Sequence, residues 1–232
     1  LHIHFFRQLG YSGIIISGLT SLQTIHADVP VILLSSADYV EGNYYSIYSD
    51  SRSAIKLLTD YLVKLGHRKI AFITGRDHSS ATKERSDAFL SYMGLLGLEV
   101  PEAYIFPGNF DIQSGLAAFD YFYSLLDAPT AIIAANDEMA KGFIIRANSL
   151  GVRIPEDISI CGIDAISGDT FLPKITSIHQ DIEAIAHKCI SIVQQGAASS
   201  VRHPIVFPVE FSPGNTCYRL QSPGLAHGTD PK

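Results

Sequence analysis

The chain has 232 residues and a formal net charge of −6, with 47% hydrophobic and 17% charged residues. This length and composition predict a globular protein with ample core, in one large domain or two small ones, and exclude a disordered chain. No apolar run approaches the ~20 residues of a membrane-spanning helix, and no dense basic cluster is available to neutralise nucleic-acid phosphates. We therefore expect no membrane contact, and no DNA binding by this chain alone.

The N-terminus and the cysteines indicate the compartment. The first residues, LHIHFFRQLG, have no signal-peptide layout and no initiator methionine, so we expect upstream residues to be absent. Cys161, Cys189 and Cys217 lie far apart without a CxxC pair, which favours free thiols, although two of them could bridge in space. We expect a cytoplasmic α/β protein.

Strand-like and helix-like segments alternate along most of the chain. Apolar strands are predicted at residues 13–17 and 30–34, a weaker aromatic strand at 44–48, and an amphipathic helix at 51–65. The later elements are strands at 69–73, 104–106, 131–135, 158–163 and 205–211, and helices at 82–96, 111–126, 138–150 and 182–193. Strands separated by such helices predict βαβ units and a mainly parallel sheet. There are too many strands for one small sheet, so we predict two doubly wound lobes with a ligand cleft between them.

One strand ends in a way that points to a ligand site. The apolar run at 131–135 stops at Asn136 and Asp137, and a helix begins immediately behind them. In open α/β sheets, ligands bind outside the carboxyl ends of the strands. The sequence therefore predicts a binding edge at this position.

Four segments resemble the effector-binding domain of the LacI/GalR-type bacterial transcription regulators. They are LGHRKIAFI at residues 65–73, AANDEMA at 134–140, IPEDISICGID at 154–164 and TSIHQD at 176–181. Each segment is weak evidence alone, but four in the family's order and spacing are specific. The resemblance covers residues 9–217.

The resemblance implies a fold of the periplasmic-binding-protein type I, with two similar α/β lobes joined by crossover segments. It implies a proximal lobe at residues 1–62 and 180–208, a distal lobe at 63–178 and 209–217, and a loose tail at 218–232. The family's DNA-binding head, and the first strand, helix and second strand of the proximal lobe, would then be missing. We accordingly expect an N-terminally truncated chain, whose apolar first strand is covered by the absent segment.

The resemblance also implies which residues hold an effector. A sugar site needs carboxylates and amides for the hydroxyls, an arginine donor and an aromatic wall. The matching positions in this sequence are Asp50, Arg85, Phe110, Asn136, Asp164 and Gln180.

Each of these residues also has a purely structural interpretation. Asp164 could cap the following turn, and Arg85 could be a surface charge paired with Glu84 or Asp87. Phe110 could pack against the helix at 111–126.

The remaining candidates stand at element boundaries. Asp50 could N-cap the helix at 51–65, and Gln180 could serve the crossover rather than a ligand. Asn136 is expected to contact the effector, while Asp137 is expected to N-cap the helix at 138–150.

Two departures from the family pattern weaken any inference from the effectors of other family members to the effector of this chain. Ala165 stands where the family often has a second acid, and Gly214 stands where many members carry arginine.

The predicted function is the sensor domain of a transcription regulator. It would bind a sugar or sugar derivative between the lobes and act on operator DNA only through the missing head. The family is typically a homodimer, and the helix at 138–150, with Phe143, Ile144 and Ile145, could form its interface or could be buried within the lobe. The first alternative is the sugar-binding protein of an ABC transporter, which shares the fold.

The second alternative is an enzyme, which we do not expect. No phosphate-binding glycine loop, GxSxG elbow or nucleophile–base pair is recognisable. His2 and His4 are weak candidates for a metal site, so we expect no metal and no cofactor.

Overall fold

The structure is a computed structural model that describes residues 8–17, 24–25, 27–36, 41–165, 171–196 and 204–220. Within these residues the helices are α1 Ser51–Lys64, α2 Ser80–Leu95, α3 Ile112–Tyr123, α4 Asp137–Ser149 and α5 Ile182–Gln195, with a short 3₁₀ helix at Glu102–Tyr104. The strands are β1 Ile14–Ile16, β2 Thr24–Ile25, β3 Val31–Leu33, β4 Glu41–Gly42, β5 Tyr45–Ser49, β6 Ile70–Ile73, β7 Ile105–Phe106, β8 Ala131–Ala134, β9 Ser159–Cys161, β10 Ser177–Gln180, β11 Ile205–Phe207 and β12 Val209–Ser212.

Two four-stranded parallel sheets form the framework. The first sheet has the order β1-β3-β5-β11, and the second has the order β7-β6-β8-β9. All four residues of β6 and all four of β8 are buried, because helices cover both faces of the second sheet. The predicted α/β class with parallel sheets is confirmed.

Each sheet has its own core. Helices α1 to α4 pack with the second sheet into one large cluster of buried apolar side chains. On the first sheet, Ile185, Cys189 and Ile192 of α5 pack against Ile32 and Ile47. The helix predicted at residues 182–193 therefore covers the first sheet with this apolar face.

Strands β10 and β12 form an antiparallel pair between the two sheets: β10 follows β9 of the second sheet in the chain, and β12 follows β11 of the first. Ile178 lies opposite Phe211, and Gln180 lies opposite Val209. The prediction of a single strand at 205–211 was wrong, because β11 joins the first sheet and β12 pairs with β10. The break falls at Pro208, which has no backbone N–H to continue a ladder.

Helix α1 packs on the large core around the second sheet. Its buried residues Ala54, Ile55, Leu58 and Leu62 belong to that cluster. A lobe boundary within this helix, at residue 62, stays a prediction.

The chain after Cys217 is tied to the turn at the end of α1. Leu220 N donates to Leu65 O (2.9 Å), and Tyr218 O lies 3.0 Å from His67 Nε2. Residues 221–232 of the predicted loose tail lie outside the described residues, as do His2 and His4.

The apolar side chains of α4 divide between core and surface. Phe143 and Ile144 are fully buried within the second sheet's core, whereas Ile145 is exposed. Of the two interpretations of this stripe, burial within the lobe is therefore the one observed for Phe143 and Ile144. Among the described helices, none is long and apolar enough to cross a membrane.

Candidate effector-binding cleft

A cavity of about 230 Å³ lies where the carboxyl end of the first sheet meets α2 and α5. Its walls come from the residues after β3, from the end of β5, from the first turns of α2 and from the start of α5; they are Leu34, Ser35, Ser36, Ile47, Tyr48, Ser49, Ser51, Ser80, Ala81, Glu84, Arg85, Gln180, Ile182 and Ile185. Because parallel strands end at one edge, residues distant in sequence converge there. The cavity is thus built at the position expected for a ligand in this fold class.

Three buried polar atoms on the cavity wall have no hydrogen-bond partner among the described residues. They are Ser35 Oγ, Ser49 Oγ and Arg85 Nε. Buried polar groups are almost always satisfied, because leaving one unpaired costs about 1–3 kcal/mol. Unpaired donors and acceptors that surround one cavity are what a site for a polar ligand requires.

Arg85 is positioned by the packing of α2. It is 8% exposed and lies at the same helical face as the buried Phe89 and Met93, at a spacing of four residues. Its Nη1 donates to the Ala135 carbonyl, which follows β8. The interpretation of Arg85 as a surface charge was wrong, because the side chain is buried; of the two partners considered, Asp87 pairs with Lys83, whereas Glu84 does interact with Arg85.

The guanidinium of Arg85 stands among carboxylates. Burial lowers the pKa of Arg85, and the carboxylates of Asp164, Glu84 and Asp137 oppose that decrease. An arginine remains protonated in such surroundings, so the cleft contains a fixed positive charge.

Asp164 follows β9 and is held by Gln180. Gln180 Nε2 donates to Asp164 Oδ1 (2.6 Å), and Asp164 N donates to Ile178 O (2.9 Å). Burial raises the pKa of Asp164 to about 6; the Arg85 guanidinium opposes this effect, and Asp137 reinforces it. The structure therefore brings three of the predicted residues, Arg85, Asp164 and Gln180, into one cluster.

The backbone at Asp164 is strained. Asp164 and Ala165 have φ angles of 126° and 51°, which L-residues rarely adopt and which cost of order 1–3 kcal/mol each. Ser177 Oγ accepts from Ala165 N (3.1 Å) and donates to Asp137 Oδ1 (2.7 Å). The Asp137–Ser177 pair, which sequence reasoning missed, thus fixes the turn that carries Asp164.

Asp137 is buried beneath this turn. It is 3% exposed, and a Cβ at Gly162 would lie 2.2 Å from its Oδ1, so only glycine leaves room for the carboxylate. Burial raises the pKa of Asp137, whereas the hydrogen bond from Ser177 lowers it.

Asn136, rather than Asp137, is the N-cap of α4. Its Oδ1 accepts from Met139 N (3.0 Å), and its Nδ2 donates to Phe110 O (3.0 Å). The predicted cap at Asp137 was wrong, because its carboxylate turns toward Ser177. Both polar atoms of the Asn136 side chain have protein partners, so its observed contacts are structural.

Phe110 lies against Gly75, near the ends of β6 and β7. A Cβ at Gly75 would stand 1.9 Å from the Cζ of Phe110, so the ring rests directly on the glycine backbone. Phe110 has a φ of 63°, and its carbonyl is held by Asn136. Phe110 and Asn136 form a second pair, connected to Arg85 through the Ala135 carbonyl.

Asp50 lies at the outer end of the cleft. It N-caps α1, with Oδ1 accepting from Ser53 N (3.0 Å), and it lines an adjoining cavity of about 640 Å³. The two cavities share several lining residues, among them Ser51 and Glu84. Of the two interpretations of Asp50, the structure shows the N-cap contact.

The sequence carried signals for some of the residues that were missed. Ser35 and Ser49 stand at the carboxyl ends of β3 and β5, the same topological position that drew attention to Asn136. Ser177 had no comparable signal, because its role depends on the neighbouring turn. Among the described residues, no group of three or more His, Cys, Asp or Glu side chains could hold a metal ion.

Comparison with known proteins places this geometry in a family. Residues 59–217 match the family described as the periplasmic-binding-protein-like domain. The chain is 34% identical over 169 residues to the HTH-type transcriptional repressor PurR of Vibrio vulnificus, an alignment that covers 72% of this chain and 50% of the relative. It is 25% identical over 196 residues to the probable HTH-type transcriptional repressor ExuR of Bacillus subtilis, covering 80% of this chain and 59% of the relative. The chain thus spans about half the length of the curated relatives it matches.

Solved structures show the same fold. A putative LacI transcriptional regulator from Bacillus cereus superposes with a TM-score of 0.82 at 22% identity, covering 94% of this chain and 80% of that one. A LacI-family regulator from Enterococcus faecium, solved with bound ribose, has a TM-score of 0.78 at 22% identity, covering 95% and 85%. The chain therefore belongs to the periplasmic-binding-protein-like domain family, in the form found as the effector-binding domain of LacI/GalR-type transcription regulators.

Proposed function

We propose that the cleft lined by Ser35, Ser49 and Arg85 binds a sugar or a sugar derivative. The observation that carries this proposal is the set of unpaired buried atoms on these three residues, which surround one cavity. A ligand with several hydroxyl groups would supply the missing partners, and its C–H faces would meet the apolar Leu34 and Ile47.

We propose direct roles for Arg85, Asp164 and Gln180 in this binding. Arg85 Nε would donate to the ligand, while Asp164 and Gln180, already hydrogen-bonded to each other, would accept and donate as a unit. Asp50 would act at the outer rim, and Phe110 would offer a ring face. Asn136 would hold Phe110 in place.

Binding would act by favouring one arrangement of the two lobes. The ligand can shift that equilibrium only by its differential affinity for the two arrangements. In a protein that joins this domain to a DNA-binding head, the shift would change operator binding. The repressor relatives support this role and a cytoplasmic setting. A homodimer remains a prediction, as do the lobe boundaries.

Thermal unfolding with a reporter dye tests the proposal, because the chain has no Trp for intrinsic indole fluorescence. The probes are ribose, galactose and hypoxanthine. A ligand at about a hundred times its Kd should add roughly 2.7 kcal/mol to the unfolding free energy, and so raise Tm by about 5–11 °C. A panel in which neither sugar raises Tm, or in which hypoxanthine alone does, would contradict the proposal.

A substitution of the arginine locates the binding. Arg85→Lys keeps the charge but removes Nε and the planar donor fork, so the ligand-dependent rise in Tm should disappear while the protein still unfolds cooperatively. Arg146→Lys is the matched control, because Arg146 pairs with Asp120 at an exposed position and lines neither cavity. An equal rise in Tm for both variants would place the binding outside the cleft.

A further inference from the structure

The cavity of about 230 Å³ is called the inner cavity here, and the adjoining cavity of about 640 Å³ the outer cavity. The charged side chains around the inner cavity are predominantly acidic. Arg85 is the one cation that lines this cavity among the described residues, and Glu84 lines it beside Arg85. Asp164 and Asp137 also interact electrostatically with Arg85, so three carboxylates act on a single guanidinium. The positive charge of Arg85 is therefore already balanced by the protein.

The outer cavity, through which a ligand would reach the inner one, has no excess of cationic over acidic side chains among its described lining residues. The outer cavity is lined by Asp50, Glu84 and Asp87 on the acidic side, and by Arg52 and Lys83 on the basic side. Lys83 Nζ is bound to Asp87 Oδ2 at 2.6 Å. In the part of the chain that the structure describes, an anion approaching the cleft thus meets at least as many carboxylates as cations, which disfavours its entry.

The unpaired groups on the cavity wall suit an uncharged partner. Ser35 and Ser49 offer neutral hydroxyls, each able to donate one hydrogen bond and accept others. Leu34, Ile47 and Ile185 form an apolar wall on the same cavity. Hydroxyl groups and uncharged ring atoms can satisfy such a site without bringing a net charge into it.

We propose that the cleft selects an uncharged polar effector and rejects analogues that carry a carboxylate or a phosphate. This inference rests on the proposed function, namely that the cleft is the effector site. An anionic ligand would lose its hydration on entering, yet it would find the Arg85 guanidinium already compensated by carboxylates. Rejection by unfavourable charge is a common source of specificity.

Calorimetric titration of matched pairs tests the inference. Galactose is compared with galacturonate, and ribose with ribose 5-phosphate, because each pair differs chiefly by the anionic group. The anionic member should bind at least tenfold more weakly, which corresponds to about 1.4 kcal/mol. An anionic member that binds as tightly as its neutral partner, or more tightly, overturns the inference while leaving the proposed function intact.

A charge substitution in the cleft gives an independent check. Glu84→Gln removes one carboxylate at nearly constant volume, so it should narrow the affinity gap within each pair severalfold. Asp120→Asn removes an exposed carboxylate that lines neither cavity, and should leave the gap unchanged. Equal gaps in the Glu84→Gln variant and in the parent protein would contradict the inference. Failure of all four probes to bind would instead count against the proposed function itself.

Discussion

Replacement of Ser177 by alanine tests whether the buried Asp137–Ser177 pair supports the turn beneath the cleft. The substitution removes the hydroxyl that donates to Asp137 Oδ1 at 2.7 Å and accepts from Ala165 N at 3.1 Å. Asp137 Oδ2 already lacks a hydrogen-bond partner in the described part of the chain. The variant therefore leaves a buried carboxylate with even fewer donors.

The expected cost follows from these contacts. A hydrogen bond to a charged group contributes about 1.5–3 kcal/mol, and loss of the partly buried Ala165 N–H contact adds roughly 0.5–1 kcal/mol. We expect Ser177→Ala to lower the unfolding free energy by about 3 kcal/mol at neutral pH, and Tm by about 6–12 °C.

The loss should depend on pH. Burial raises the pKa of Asp137 above its unfolded value, and the Ser177 hydrogen bond opposes that increase. Without Ser177 the folded-state pKa rises further. A raised carboxyl pKa destabilises the folded state at neutral pH, and the penalty shrinks as the pH falls through the folded pKa and the group takes up a proton. The difference between parent and variant should therefore be larger at pH 7.5 than at pH 5.

Ser114→Ala is the matched control, measured by urea unfolding followed with circular dichroism. Ser114 Oγ donates to Asp111 Oδ1 at 2.7 Å and accepts from Asn109 N at 2.9 Å, the same pattern at the partly exposed start of α3. Here hydrogen bonds from Ser114 and Asn109 lower the pKa of Asp111. We expect a loss of about 1 kcal/mol. Equal losses for the two serine variants at both pH values would refute the argument from burial.

Three further outcomes are expected. Asp50→Ala removes the α1 cap on Ser53 N and should cost about 1 kcal/mol, or about 2–4 °C in Tm; an unchanged Tm would mean that the cap is dispensable. Burial lowers the pKa of His67, so the folded state resists protonation and the unfolding free energy should fall as the pH drops below about 6.5. His67→Gln should flatten that pH dependence in urea titrations at pH 5, 6 and 7. An unaltered slope would contradict this role of His67. In carboxyl NMR, Asp164 should titrate near pH 6 and the ion-paired Asp157 near 2; the reverse order would contradict the assigned environments.

The main strands and helices could be predicted because their patterns are local. The β6 and β8 segments are short apolar runs followed by amphipathic helices, which is what a covered parallel strand requires. Strand β10 was missed because Ser177–Gln180 has one apolar residue, and its pairing depends on a distant partner in β12. The division of residues 205–212 between two sheets was likewise a matter of tertiary contacts.

The binding edge could be predicted, but the contacts of its residues could not. Asp164 and Asn136 stand at carboxyl ends of strands, which topology alone identifies. Which of Asn136 and Asp137 caps α4 depends on Ser177, a residue about forty positions away. The burial of Arg85 is set by α2 packing against the second sheet.

Chemical-shift mapping tests the central claim most directly. Backbone amides of the 232-residue chain are followed by NMR as ribose or galactose is added, whichever raises Tm in the melting assay. The largest changes are expected at Ser35, Ser49 and Arg85, where unpaired atoms meet the cavity. Changes confined to the groove between α1 and α2, lined by Lys56 and Tyr92, would contradict it.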